Sequence, residues 1–352
     1  MYSPKIAKIL IEPSFTILQA LKRMDEIEKK ILLIVNNQEY IGLISIGDIQ
    51  RAILNEYDLR DNVVNVIRKN SLVAKIDDKI ESIKTMMLKH RMEICPVIDS
   101  NKIVDVYFWD DLFENSKSIL KNKFNLPIVI MAGGIGSRLK PLTNVLPKPL
   151  IPIKDKTMLE EIFHRFSKYG SKRFYISTNY KSDLIEYYLD DKKLPFDIKY
   201  FKEKKPMGTA GSLSLLKSKI NETFFVTNCD ILIDEDYSEI LDYHRTNKND
   251  ITIVAGLKHY PISYGTVKTG SKGKLIKFIE KPEVTFKINS GMYILEPSLL
   301  SKIPKNKFFH ITELIDSIKK ENGNIGVYPV SEKSWKDIGQ WDDFLKLALN
   351  KS

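Results

Sequence analysis

The feature that most constrains the fold is a regular alternation that starts at Pro127. Short apolar runs typical of strands (PIVIMAGG, RFYISTN, DIKYFKE, TFFVTNCDILI) alternate with helical patterns (TMLEEIFHRFSKYG, SDLIEYYLDD, TAGSLSLLKSKI). Thr157 and Glu160 have the spacing of a capping box, and Gly170 is placed to end that helix. This order predicts an α/β fold, a doubly wound and mostly parallel sheet whose ligands bind at the carboxyl ends of the strands.

The residues before this region contain a weak duplication. The stretch from SFTILQALKRMDE to IGLISIGDIQRAIL reads helix, strand, turn, strand, helix, and a similar order returns from DKIESIKTMMLKH to IVDVYFWDDLFE. Asp48 and Asp110 occupy equivalent places in the two copies. We therefore expect a smaller α+β domain over residues 1–118, a polar linker over 119–126, and the α/β domain over 127–352.

At GLISIGD the first copy resembles a CBS domain, and the duplication resembles a CBS pair. In that family a Ser or Thr followed three residues later by Asp can hold a ribose, and Ser45 and Asp48 match this pattern. In the second copy Tyr107 stands where the hydroxyl residue is expected, although Asp110 remains. The resemblance implies a regulatory nucleotide site. The alternative is that both aspartates only cap or begin their helices.

Composition narrows the class of protein. No apolar run approaches the ~20 residues of a membrane span, and no signal peptide precedes the first domain, so we expect no membrane partner. Cys95 and Cys229 lie far apart and favour a reducing cytoplasm. The net charge of +10 is spread along the chain without a nucleic-acid-binding signature, so we expect no nucleic acid partner. The excess charge can attract phosphorylated small molecules.

The stretch AGGIGSRL follows the first strand of the second domain. Its glycines allow backbone N–H groups to approach phosphate oxygens, and Arg138 and Lys148 add positive charge. A dinucleotide fingerprint would need a glycine at Leu139, and a Walker loop would need Gly-Lys followed by Ser or Thr. Neither motif is present in the stretch.

The whole stretch resembles the signature of the sugar nucleotidyltransferases, G-G-x-G-x-R-L-x-P-L-T followed by P-K-P. The resemblance extends over about residues 127–350 and implies their Rossmann-like nucleotidyltransferase fold. It also implies catalytic roles for Arg138, Lys148 and Asp230. The residues that it implies at the nucleotide are Ala132, Gly133, Gly134, Gly136, Gly208, Thr209 and Gly211.

Two carboxylates are the candidate ligands of a Mg²⁺ cofactor. Asp230 lies in VTNCDILID at the end of an apolar strand, where Cys229 replaces the glycine that the family commonly has. Asp337 lies in WKDIGQWDDF, which resembles the family's late W-x-D-I-G segment. By this resemblance the two aspartates bind the metal together. The alternatives are a strand-end acid for Asp230 and a turn acid for Asp337.

The remaining candidates are nucleotide and sugar contacts. In KPMGTAGSL, Gly208 and Gly211 would allow the close approach of a flat base, as in the family's P-x-G-T-A-G loop; the alternative is a simple helix N-terminus. Ser290 departs from the commoner residue of the family's N-x-G-x-Y segment. The five histidines show no metal-ligand spacing, and Trp335 and Trp341 are expected to pack the Asp337 loop. The candidate sugar-phosphate contacts are Asn179, Tyr264, Gly265, Glu280, Lys281, Asn289 and Gly291.

The resemblance implies that a nucleoside triphosphate and a sugar 1-phosphate give a nucleoside-diphosphate sugar and pyrophosphate. A CBS pair before the transferase domain is similar to the guanylyltransferases that activate glucosamine 1-phosphate for legionaminic acid synthesis, which favours GTP and glucosamine 1-phosphate. The alternatives are mannose 1-phosphate guanylyl transfer, thymidylyl or cytidylyl transfer, and a nucleotide sensor with an inactive transferase domain. We also expect a homo-oligomer.

Overall fold

The computed structural model describes residues 2–68, 71–90, 92–113, 122–203, 205–341 and 344–345. The chain divides into two compact units, Met1–Lys121 and Asn122–Ser352. Part of the predicted linker, residues 119–121, lies outside the described residues. No helix in the described ranges is long and apolar enough to cross a membrane.

The smaller unit contains the predicted order of elements twice. Its helices and strands are α1 (Pro4–Ala7), β1 (Leu10–Ile11), α2 (Ile17–Ile27), β2 (Ile31–Asn36), β3 (Glu39–Ser45), α3 (Ile46–Leu54), β4 (Ala74–Lys75), α4 (Ile80–His90), β5 (Ile94–Asp99), β6 (Lys102–Phe108) and α5 (Trp109–Leu112). The six strands form one sheet in the order β1-β2-β3-β6-β5-β4. The repeated β-α-β-β-α order therefore places β3 and β6 side by side at the centre of the sheet.

The larger unit is built on a second sheet. Its helices and strands are β7 (Ile128–Met131), α6 (Leu142–Val145), β8 (Pro152–Ile153), β9 (Lys156–Thr157), α7 (Met158–Ser167), β10 (Arg173–Thr178), α8 (Ser182–Lys192), β11 (Asp197–Lys202), α9 (Gly208–Gly211), β12 (Phe224–Asn228), β13 (Ile231–Ile233), α10 (Tyr237–Thr246), β14 (Ile251–Pro261), β15 (Thr266–Thr269), β16 (Leu275–Ile279), β17 (Glu283–Leu295), α11 (Ile311–Lys320), β18 (Ile325–Val330) and β19 (Trp335–Asp337).

Seven of these strands form a mixed sheet in the order β11-β10-β7-β12-β17-β14-β18. β11, β10, β7 and β12 are parallel neighbours, β17 is antiparallel to both β12 and β14, and β18 is parallel to β14. Helices cover both faces of this sheet. Alternate residues of one strand therefore pack into different hydrophobic cores, one on each face. In β7, for example, Ile128 and Ile130 join one core, and Val129 joins the other. The predicted doubly wound α/β class is confirmed.

Local signals predicted most of these elements. Thr157 and Glu160 form the expected capping box at the start of α7, with Glu160 N–H donating to Thr157 Oγ1 (3.2 Å) and Thr157 N–H donating to Glu160 Oε2 (2.7 Å). The helix predicted over TAGSLSLLKSKI is much shorter in the structure. It consists of the four-residue α9 followed by the 3₁₀ helix Ser212–Leu216. The strand predicted over TFFVTNCDILI is interrupted between β12 and β13, where Asp230 lies.

Candidate active site

The loops that carry the candidate site residues leave one edge of the seven-stranded sheet. Because β11, β10, β7 and β12 are adjacent and parallel, their carboxyl ends lie side by side. β7 leads into the glycine loop, and the other three strands lead into Glu203, Asn179 and Asp230. This is the edge at which open parallel sheets bind ligands.

Lys148 and Asp230 form a buried ion pair at this edge. The ammonium of Lys148, which begins the 3₁₀ helix Lys148–Leu150, contacts the carboxylate of Asp230. Only 8% of Lys148 and 6% of Asp230 are exposed, so water screens neither charge well and each compensates the other. Burial raises the pKa of the Cys229 thiol to about 12. The residue that replaces the expected glycine therefore stays neutral beside Asp230.

Asp337 reaches the same place through a short antiparallel ladder. β19 pairs with β13 so that Asp337 lies opposite Ile231, and the N–H of Ile338 donates to the carbonyl of Asp230 (2.9 Å). The guanidinium of Arg138 lies 3.6 Å from the Asp337 carboxylate. The structure thus brings two acids and two bases from four separate segments into one cluster.

Gly339 allows three charged side chains to approach the backbone closely. A Cβ at this position would clash with Asp230 Oδ2 and would lie 2.8 Å from Asp337 Oδ1 and 2.6 Å from Lys148 Nζ. Carboxylates together with substrate phosphates are the ligands that Mg²⁺ commonly uses. In the part of the chain that the structure describes, no group of three or more His, Cys, Asp or Glu residues could hold a metal. The donor set therefore fits a Mg²⁺ ion that completes its coordination with substrate oxygens.

A cavity of about 310 Å³ opens beside this cluster. Its lining contains charged residues of the cluster and also neutral polar side chains that were not among the predicted site residues, including Tyr293, His310 and Thr312. Trp335 packs on Gly256, where a Cβ would lie 2.6 Å from the indole ring. The lining residues predicted as site residues are Arg138, Thr209, Asp230, Asn289, Gly291 and Asp337.

Asn289 and Gly291 lie at an irregularity of the β14–β17 ladder, where the register shifts. Ser290 Oγ donates to the carbonyl of Val254 (2.7 Å), which satisfies a backbone acceptor at the irregularity. Asn289 Oδ1 accepts from the N–H of Gly291 (3.1 Å), and Asn289 Nδ2 donates to the hydroxyl oxygen of Tyr293 (2.7 Å). The serine that departs from the family pattern therefore supports the backbone that holds Asn289 at the cavity.

The glycine loop after β7 combines packed and open positions. Ala132 is buried, and a Cβ on Gly136 would lie 2.8 Å from Thr143 and 3.1 Å from Lys148. A Cβ on Gly134 would meet nothing within 4 Å. Gly136 is therefore required for packing within the protein, and Gly134 leaves room on the outer side of the loop.

Gly208 and Gly211 allow a close approach within the protein. Gly208 has a φ of +79°, and a Cβ there would lie 2.7 Å from the carbonyl oxygen of Phe309. A Cβ on Gly211 would lie 2.7 Å from the carbonyl oxygen of Lys307. The backbone of residues 307–309 therefore occupies the Cβ side of both glycines, and their contact with a base stays a prediction. Thr209 is the residue of this loop that lines the cavity.

Glu203 is a buried acid that the motif search missed. It is 8% exposed, its carboxylate accepts from the hydroxyl of Ser177 and from the N–H of Met207 (3.0 Å), and a Cβ on Gly133 would lie 3.1 Å from Glu203 Oε1. Asn179 Nδ2 donates to the Glu203 carbonyl (2.8 Å), so this predicted sugar contact lies beside the glycine loop. The sequence signal that could have identified Glu203 is an acidic residue directly after a predicted parallel strand.

The other predicted sugar contacts are on the β15–β16 side of the unit. Tyr264 is 80% exposed, and a Cβ on Gly265 would lie 2.8 Å from Glu280 Oε2. Lys281 follows Glu280 and is also exposed. These four residues form a group of their own and do not line the cavity that contains Asp230.

In the smaller unit, Ser45 and Asp48 bind each other. Ser45 N–H (2.8 Å) and Oγ–H (2.6 Å) donate to Asp48 Oδ2, a capping box that begins α3. Asp48 Oδ1 accepts from Arg51 and from Arg68 Nε (2.8 Å). Burial alone would raise the pKa of Asp48, but bonds from Ser45 and Arg68 outweigh it and lower the pKa. Asp110 is the second residue of α5, and its side chain lies outside the described residues.

Comparison with protein families agrees with this geometry. The family model described as nucleotidyl transferase matches residues 128–351, which is more than half of the chain. The chain belongs to the nucleotidyl transferase family. A model of the CBS domain matches residues 7–55 of this nucleotidyl transferase, so its N-terminal part contains a CBS domain.

Several named relatives match the same part of the chain. It is 34% identical over 225 residues to the mannose-1-phosphate guanylyltransferase catalytic subunit beta of Dictyostelium discoideum. It is 30% identical over 223 residues to the mannose-1-phosphate guanylyltransferase of Mycobacterium tuberculosis. Each alignment covers 62% of this nucleotidyl transferase, which in turn spans 62% of the length of each relative.

Solved structures resemble the same unit. HddC from Yersinia pseudotuberculosis matches with a TM-score of 0.50 and 26% identity, and the alignment covers 64% of this nucleotidyl transferase and 98% of HddC. A second structure of HddC, complexed with GMP-PN, matches with the same TM-score, identity and coverage.

Proposed function

We propose that the chain transfers a guanylyl group from GTP to a hexose 1-phosphate and releases pyrophosphate. The observation that carries the proposal is the cluster of Asp230, Asp337, Lys148 and Arg138, three of which line a cavity. Two acids that can hold a cation and two bases that can hold phosphates are what a transfer between phosphate groups requires.

In the proposed reaction, an oxygen of the sugar phosphate attacks the α-phosphorus of the triphosphate. A P–O bond forms there, and the bond to the oxygen that bridges to the β-phosphorus breaks, so pyrophosphate leaves. Asp230 and Asp337 would hold Mg²⁺, which when bound offsets the charge of the phosphates. Lys148 would hold a further phosphate oxygen next to Asp230. Arg138, whose side chain is 61% exposed, is accessible for a bidentate contact with the triphosphate.

Glu203 supports guanine as the base. Its buried carboxylate lies beside Gly133 of the glycine loop, and guanine presents adjacent N–H donors on its Watson–Crick edge, whereas adenine and cytosine present an unprotonated ring nitrogen there. HddC, a structural relative, is described in complex with GMP-PN, and several sequence relatives are guanylyltransferases. We therefore propose GTP as the nucleotide substrate. Thymidylyl and cytidylyl transfer are the alternatives that the substrate experiment below would detect.

Two sugars are candidates. The names of the relatives favour mannose 1-phosphate. The CBS domain in front of the transferase unit favours glucosamine 1-phosphate, because this order resembles guanylyltransferases of legionaminic acid synthesis. We propose mannose 1-phosphate as the first candidate and glucosamine 1-phosphate as the second. Either product would serve the synthesis of a surface glycan or a nonulosonic acid.

We further propose that residues 1–118 act as a regulatory CBS pair, joined by the linker 119–126 to the transferase domain 127–352. An adenine or guanine nucleotide at Ser45 and Asp48 would need to compete with Arg51 and Arg68 for the Asp48 carboxylate. Calorimetry on the full chain with AMP, ATP and GTP tests this site, with Asp48→Asn as the comparison. An equal heat of nucleotide binding in wild type and Asp48→Asn would show that Asp48 does not bind the nucleotide.

Two broader expectations belong to the same proposal. The free thiols of Cys95 and Cys229 are both buried, which is consistent with a cytoplasmic protein. We also propose that the chain forms a homo-oligomer, because CBS pairs commonly associate with one another. Sedimentation of the full chain at several concentrations measures this association.

The deciding experiment is a grid of nucleoside triphosphates and sugar 1-phosphates, with pyrophosphate release as the readout. GTP with mannose 1-phosphate or glucosamine 1-phosphate is expected to give the highest kcat/KM in the presence of Mg²⁺. If no combination released pyrophosphate and a nucleotide still bound to the N-terminal unit, the result would favour a nucleotide sensor with an inactive transferase domain. Highest activity with another triphosphate would replace the guanylyl assignment and keep the reaction type.

A further inference from the structure

The lining of the cavity beside Asp230 contains two kinds of polar side chain. Arg138, Asp230 and Asp337 carry formal charges, and the other polar residues, which form the neutral wall, present hydroxyl, amide and imidazole groups, among them those of Asn289 and His310. Phosphates belong with the charged residues, because those supply a cation and candidate metal ligands. The neutral wall suits a ligand that donates and accepts neutral hydrogen bonds, which is the chemistry of sugar hydroxyls.

His310 is held at this wall by the loop that contains Thr209. The N–H groups of Ala210 and Gly211 donate to the carbonyl of Phe309 (3.0 and 2.9 Å), and the N–H of Ile311 donates to Thr209 Oγ1 (2.9 Å). The segment before α11 and the loop of α9 therefore form one wall. The position of His310 is set by backbone contacts on both sides of it.

The hydrogen bonds also orient the imidazole. Thr209 Oγ1 accepts from the N–H of Ile311 and lies 3.4 Å from His310 Nδ1. In the tautomer in which Nδ1 accepts the Thr209 proton, the ring proton is on Nε2. The ring of Phe308 packs against the imidazole edge to face, with centroids 4.7 Å apart and an interplanar angle of 85°. The ring is thereby supported, and Nε2–H is left as a donor.

We propose that His310 is a sugar-binding residue of this cavity, and that Nε2–H donates to a ring hydroxyl of the sugar 1-phosphate. This inference rests on the proposed function, because it takes the acceptor substrate as the occupant of the neutral wall. The contact selects sugars that have an oxygen at the corresponding ring position. A neutral hydrogen bond of this kind contributes about a threefold to tenfold difference in kcat/KM.

Two variants of His310 separate binding from folding. The amide nitrogen of Gln can reach the position of Nε2, whereas the amide of Asn reaches only the position of Nδ1. Asn is also a good N-cap residue, so His310→Asn is expected to keep the start of α11 intact. His164→Asn is the matched control, because His164 is exposed on α7 and does not line the cavity.

Steady-state kinetics with the preferred hexose 1-phosphate and its 2-, 3-, 4- and 6-deoxy analogues test the proposal. His310→Asn is expected to lower kcat/KM for the parent sugar about threefold to tenfold, mainly through the KM of the sugar, with the KM of GTP unchanged. His310→Gln should recover most of this loss, and His164→Asn should match wild type. For one deoxy analogue, wild type and His310→Asn should become equal.

An equal loss with all analogues, or a change in the KM of GTP alone, would overturn the role of His310 and leave the transfer reaction standing. Parent-sugar kinetics of His310→Asn within twofold of wild type would do the same. A wild-type protein that is silent with every substrate pair would instead remove the proposed function, and with it this inference.

Discussion

Replacing Gly339 with alanine adds one methyl group at the point where the two aspartates meet. The new Cβ would clash with Asp230 Oδ2 and would lie 2.8 Å from Asp337 Oδ1. These neighbours are the ends of side chains, so they can rotate away without a shift of the backbone. Overpacking costs about 1–3 kcal/mol, and alanine offsets about 0.4–1 kcal/mol of this by restricting the unfolded chain. We therefore expect the free energy of unfolding to fall by no more than about 2.6 kcal/mol.

The same methyl group should damage catalysis far more than stability. A displacement of about 1 Å in a group that positions substrates can lower the rate about 100-fold. We expect Gly339→Ala to lower kcat about 100-fold and to raise the Mg²⁺ concentration needed for half-maximal rate, with a melting temperature close to that of wild type. Gly270→Ala is the control, since a Cβ there meets the Ile276 side chain, at 3.0 Å for the nearest atom, and the Lys274 carbonyl oxygen at 3.8 Å, and no candidate site residue. Wild-type turnover by Gly339→Ala would refute the argument that close packing at Gly339 positions these charged groups for catalysis.

Three further outcomes are expected. Asp230→Asn and Asp337→Asn should each lower kcat at least about 100-fold. Only Asp230→Asn should also lower the melting temperature strongly, because it leaves the buried Lys148 without its partner. Equal losses of stability in the two variants would contradict this. Glu203→Gln should reduce the preference for GTP over ATP at least about tenfold in kcat/KM, and an unchanged preference would remove Glu203 from base recognition. Burial lowers the pKa of His244, so the unfolded chain binds the proton at a higher pH than the folded chain does. The free energy of unfolding should therefore fall as the pH drops below about 6.5. Urea denaturation at pH 7.5 and 5.5 should show this fall in wild type and a smaller fall in His244→Gln.

Signals of short range predicted the elements and the position of the glycine loop. The capping box of Thr157 and Glu160 works within one helical turn, and the run from Gly133 to Lys148 is one continuous segment. The alternation of strands and helices is also local, and the parallel sheet follows from it. The shortened helix at TAGSLSLLKSKI shows the limit of such signals, since the segment's apolar side chains pack in a core that a 3₁₀ helix also fills.

Relations between distant segments depended on the tertiary structure. The family resemblance implied that Asp230 and Asp337 act together, and the ladder between β13 and β19 is what brings them together. The packing of the backbone of residues 307–309 against Gly208 and Gly211 was not predictable from their motif.

Glu203 and His310 carried no motif at all. Each became a candidate only through its neighbours, Glu203 through the glycine loop and His310 through Thr209 and the cavity. Sequence alone determined which elements form and which chemical groups are available, because those depend on residues close together in the chain. The tertiary fold decided which of these groups come into contact. Strands that are far apart in the chain become parallel neighbours in the sheet, and the loops that follow them therefore lie side by side.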